Sequence, residues 1–137
     1  MTWVITVKNS FGGTGKSVQA YSIIKKKQKL DEIFINGNPL VYTLQSGDSL
    51  IINACFDQPV PKKTAYYVLY PDWIPDNCFN SGGVAHEGPK DFGEDKKKIK
   101  ITKSEPNLGG SAWQLIMNCV DDSLNDRSGN VIVGDDQ

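Results

Sequence analysis

Short runs of β-branched and aromatic residues, each cut off by glycine, proline, asparagine or aspartate, constrain this chain more than any other feature. WVITV at 3–7, DEIFI at 31–35, PLVYTL at 39–44, SLIINACF at 49–56, TAYYVLY at 64–70, KKKIKIT at 96–102, AWQLIMNCV at 112–120 and NVIV at 130–133 are such runs. They are too short for stable helices and none carries the 3.6-residue period, whereas KKKIKIT alternates as a strand with one wet face does. VQAYSII at 18–24 settles neither period and is assigned to a strand. About eight strands separated by turn signals, with no amphipathic helix, predict an all-β fold. The expected architecture is a two-sheet antiparallel β-sandwich or jelly roll forming one domain over residues 1–137.

Within that frame SLIINACF is apolar enough for a central strand buried on both faces. Asn36-Gly37 is the strongest hairpin signal in the chain and predicts that the strands at 31–35 and 39–44 pair. Residues 75–94 lack periodicity and read as a long loop, a kind of segment that in a compact domain is more often functional than idle.

Bulk properties narrow the function. The 137 residues carry 15 Lys and Arg against 16 Asp and Glu, a formal net charge of -1, so no overall field attracts nucleic acid and none is expected as a partner. No run of about 18 apolar residues spans a bilayer. The start, MTWVITVKN, has no basic flank and apolar core of a secretory signal, so synthesis in the cytoplasm is expected. Cys55, Cys78 and Cys119 cannot all pair within the chain and form no CxxC unit, which predicts reduced cysteines acting as small apolar residues. No metal or cofactor is expected.

Three motifs carry possible chemistry. SFGGTGKS at 10–17 ends as a phosphate-cradling loop does, but Ser10 stands where the first glycine belongs. Lys16 is therefore expected to be a solvated loop residue. His86, the one histidine, lies in GVAHEGP with nothing in its neighbourhood marking an activated nucleophile, so no enzyme activity is expected. The acidic turn containing Asp121, Asp122, Ser123 and Asp126 offers clustered oxygens of the kind calcium prefers. It resembles the end of the calcium-dependent galactose-binding soluble lectins, although Cys119 and Arg127 stand where that resemblance calls for Asp and Asn.

Aromatic residues crowd AYYVLYPDWIP. Alternation puts Tyr66, Val68 and Tyr70 on one face and Tyr67 and Leu69 on the other. Such rings, with apolar bodies and polar handles, suit sugar stacking and the head-group boundary of a membrane. Tyr66, Tyr67, Tyr70 and Trp73 are accordingly the candidate lipid- or glycan-binding residues, with Trp73, between Pro71 and Pro75, the one expected to project furthest.

In order along the chain, WVITVKN, IINAC at 51–55, DKKKIKI with Pro106 and GGSAW at 109–113, and GNVIV at 129–133 resemble the aegerolysins, small proteins of fungi and bacteria. The chain lacks that family's early Ser-Trp-Gly segment and its Trp-Asp-Cys-Pro-Trp run, so no lipid-binding residue is carried over. The resemblance implies a non-catalytic β-sandwich that binds membrane lipid outside the cell. It also implies a second, pore-forming protein as partner, the pair forming a cytolytic or insecticidal toxin. A calcium-dependent carbohydrate-binding lectin is the alternative.

Overall fold

The computed structural model describes residues 2–10, 18–25, 30–34, 39–56, 59–82, 84–102, 105–106, 110–119 and 126–135. Among them are β1 (Thr2–Asn9), β2 (Val18–Lys25), β3 (Leu30–Phe34), β4 (Leu40–Gln45), β5 (Ser49–Phe56) and β6 (Ala65–Pro71). A 3-10 turn (Asp76–Cys78) precedes β7 (Phe79–Asn80), β8 (Ala85–His86), β9 (Lys90–Gly93), β10 (Lys96–Thr102), β11 (Gly110–Asn118) and β12 (Arg127–Asp135). The larger sheet runs β4-β1-β12-β6-β10, with β8 and β9 pairing beside β10, and the smaller runs β3-β2-β5-β11-β7. The all-β sandwich expected from the sequence is what the chain forms, with one departure: β1 and β12 pair in parallel.

Alternation turns one side of each strand into the core. Trp3, Ile5 and Val7 of β1, Tyr66, Val68 and Tyr70 of β6, Ile99 and Ile101 of β10, and Val131 and Val133 of β12 all point inward from the larger sheet. Leu50 and Ile52 of β5 with Trp113, Leu115 and Met117 of β11 answer from the smaller one. Rings bridge the two layers, Tyr66 packing on Trp113 at 4.8 Å and Tyr70 on Phe79 at 4.5 Å between centroids.

The chain crosses between sheets at the turn joining β4 to β5, and Asp48 holds that corner. Its buried carboxylate accepts the Gln45 N–H at 2.8 Å, while its own N–H donates to the Gln45 carbonyl at 2.9 Å. Its carbonyl accepts from Cys119 N–H at 3.0 Å, tying the corner to the end of β11.

Three expectations are corrected. β3 and β4 do not form the hairpin that Asn36-Gly37 signalled, because they lie in different sheets, β3 beside β2 and β4 beside β1; residues 35–38 themselves lie outside the described residues. β5 is central in its sheet, but from Leu50 to Asn53 it is enclosed on one face only: Leu50 and Ile52 are buried, whereas Ile51 and Asn53 on the other side are half-buried. Residues 75–94 are not one loop, since the 3-10 turn, β7, β8 and β9 all fall there, in pieces too short for periodicity to register.

Burial pushes the Tyr66 phenol well above its ordinary range, and burial together with neighbouring Asp76 does the same for Tyr70, whose hydroxyl donates to Asp76 at 3.2 Å. Both phenols stay neutral in the fold where the unfolded chain ionises, so their contribution is intact below about pH 10 and is lost as pH rises above it. Urea midpoints measured between about pH 8 and pH 11 are expected to fall with pH, and Tyr66→Phe should flatten that fall.

Candidate functional site

The last strand creates the site. β12 pairs with β6 only from Ile132 to Asp135, so Arg127–Asn130 run beside β1 with no partner from β6. Into that space comes the turn that follows β6. Ile74 donates its N–H to the Pro71 carbonyl at 3.1 Å and its side chain is fully buried, which anchors the turn and fixes Trp73. Trp73 is half-buried, edge-on to Trp3 at 5.4 Å and 83°. A Cβ on Gly129 would lie 2.4 Å from Pro71 Cγ and 3.2 Å from Trp73 Cζ2, so only glycine lets this turn close on β12.

The β9–β10 hairpin supplies the other wall. Its tip, Glu94 and Asp95, is held by the Asp72 N–H donating to the Asp95 carbonyl at 2.9 Å. Between these pieces lies a surface cleft of about 520 Å³, backed by Pro71 and Trp73. Asp72, Glu94 and Asp95 bring negative charge to it and Lys96 and Arg127 positive charge, with Ser128 and Asn130 beside them. Among the described residues, no ion pair or side-chain hydrogen bond engages any of the five charged groups. Nor does any group of three or more His, Cys, Asp or Glu among them converge as metal ligands would.

The four aromatic residues singled out in the sequence are separated by this architecture. Tyr66 and Tyr70 are 1% and 0% exposed and belong to the core, so neither can present a ring to a lipid or glycan. Tyr67 lies on the outer face, half-buried, its hydroxyl 2.9 Å from Ser10 Oγ and its ring 5.1 Å from Lys98 Nζ. The same ammonium sits 5.6 Å from the ring of Phe92, which is 55% exposed. Trp73 alone of the four lines the cleft.

Of the acidic turn, Asp121, Asp122 and Ser123 lie outside the described residues, as does Lys16. Asp126 accepts the Thr2 N–H at 2.7 Å and so caps the start of β1. His86 has a neighbour the sequence did not reveal: its Nδ1 is 3.3 Å from Ser81 Oγ. That hydroxyl is nearly buried and donates to the Val84 carbonyl, which closes the loop. Among the described residues no third side chain hydrogen-bonds the imidazole.

Sequence reasoning missed Asp72, Glu94, Asp95, Lys96 and Asn130. The one signal available was Gly93-Glu94-Asp95 just before the alternating KKKIKIT, which marks a turn but not its neighbour on β12. No protein-family model, no curated protein and no solved structure matches this chain.

The close approach at Gly129 makes a test of the assembly. Gly129→Ala should cost about 1–3 kcal/mol by overpacking and shift tryptophan fluorescence as Trp73 is displaced. Wild-type stability and an unchanged spectrum would mean the turn does not rest on β12.

Proposed function

We propose that this domain is a non-enzymatic recognition module that binds a polar group displayed on a cell surface, and that the Trp73 cleft is the contact site. One observation carries the reading: unpaired charges of both signs surround a half-buried indole in a recess of small-ligand size. Such groups are hydrated when the cleft is empty, and a ligand gains affinity by matching their hydrogen bonds while covering the apolar wall. An inserting membrane surface would instead display its rings, and here two of the three tyrosines of β6, Tyr66 and Tyr70, are in the core.

Phe92 favours a second reading. Exposed beside Lys98 and Tyr67, it offers the aromatic and cationic groups that suit a membrane boundary. On that reading the chain is the lipid-binding small component of a two-component pore-forming toxin, as the aegerolysin resemblance implies.

Sedimentation with erythrocyte ghosts and with protein-free liposomes, each with and without EDTA, separates the readings. Trp73→Ala is expected to keep the fold and weaken ghost binding by about 2 kcal/mol or more, as loss of an aromatic anchor does, while Phe92→Ala leaves it unchanged. The reverse order, with binding to bare liposomes, supports the toxin reading. Loss of binding in EDTA would bring in the acidic turn.

A further inference from the structure

We infer that the cleft is built for an uncharged saccharide and that Glu94 and Asp95 are its specificity-determining contacts. This rests on the Trp73 cleft being the contact site.

Gly93 pairs with Lys96, so the β9–β10 hairpin has a two-residue tip, Glu94 and Asp95. Both are left-handed, with φ of 51° and 59°. Two left-handed central residues are what a type I′ turn requires, and Asn-Gly satisfies them at least cost because glycine has no Cβ and asparagine tolerates the region. Glutamate does neither. Aspartate tolerates that region, but a chain selected for hairpin stability alone has no reason to place glutamate there, and residues held in disfavoured conformations cluster where function needs them. No compensating contact explains the choice: among the described residues neither carboxylate has an ion pair or side-chain hydrogen bond. Both instead line the cleft.

The lining then selects the ligand. Three carboxylates against two cations disfavour a phosphate or sulfate, and Lys96 and Arg127 disfavour a free amine. Vicinal hydroxyls fit both kinds of group, donating to Glu94 and Asp95 and accepting from Arg127 and the Asn130 amide. The C–H face of a sugar ring has an apolar partner in Trp73.

The test uses a stability gain to isolate function. The full chain and three variants are screened on an array of neutral oligosaccharides, and hits are titrated by calorimetry. Glu94→Asn with Asp95→Gly should raise the melting temperature by about 4 °C, through relief of the turn, yet weaken saccharide binding at least tenfold. Glu94→Gln with Asp95→Asn, which keeps the backbone, should also lose at least tenfold. Trp73→Ala should lose both saccharide and ghost binding. Saccharide binding that survives either paired replacement overturns the inference, as does a wild-type chain that binds no sugar on the array. If that wild-type chain still binds ghosts and Trp73→Ala abolishes it, the cleft remains the contact site and only the ligand class is wrong. Ghost binding untouched by Trp73→Ala removes the cleft itself.

Discussion

The position of β12 is the constraint on which the rest of this structure depends. The last strand enters between β1 and β6, parallel to the first and antiparallel to the second. It completes the larger sheet with Val131 and Val133 in the core, and it is longer than the stretch of β6 available to pair with it. The unpaired half leaves room at the end of the sheet, where the Pro71–Ile74 turn and the hairpin tip meet Arg127–Asn130. A cleft is thus a consequence of strand lengths that do not match. Its walls are distant in sequence, residues 71–73, 94–96 and 127–130, so it depends on non-local strand pairing.

Strands were legible in the sequence because period two is a local property, and their partners were not because pairing is not. The alternation in AYYVLY correctly divided Tyr66, Val68 and Tyr70 from Tyr67 and Leu69, but both sets carry rings and hydrophobicity alone did not say which faced inward. The neighbour decides. Ile99 lies opposite Val68 and Ile101 opposite Tyr66, so the inward side of KKKIKIT makes Tyr66 a core residue. Asn36-Gly37 failed as a hairpin signal for a related reason: a reversal-prone dipeptide says nothing about the sheet in which the next strand finds its partner. β4 carries Tyr42 and Leu44 into the core by pairing with β1 instead. The cleft was the least legible part, since its walls come from three segments far apart in the chain.

Trp73 shows how recognition and stability share residues here. Its ring packs edge-on to Trp3, a core residue, while lining the cleft. Removing it therefore withdraws packing from β1 as well as the apolar wall, and binding by such a variant has to be counted per folded molecule. Glu94 and Asp95 have no such double role: their backbone serves the hairpin and their side chains leave the core untouched. That separation is why the hairpin tip, rather than the indole, isolates recognition from folding.

The near-zero net charge is an average over very different surroundings. Along β10, Lys97 is paired with Asp76 at 2.9 Å, and Lys98 lies between the rings of Tyr67 and Phe92. Lys96, on the same strand, lines the cleft with no ion pair among the described residues. A field that cancels over the whole surface gives a ligand no long-range guidance, so recognition must come from short-range contacts. Charges already committed to an ion pair or a ring contribute little further to such contacts. Five charges without an ion pair among the described residues, Asp72, Glu94, Asp95, Lys96 and Arg127, meet where β12 outruns β6, and the sheet's geometry, rather than its composition, put them there.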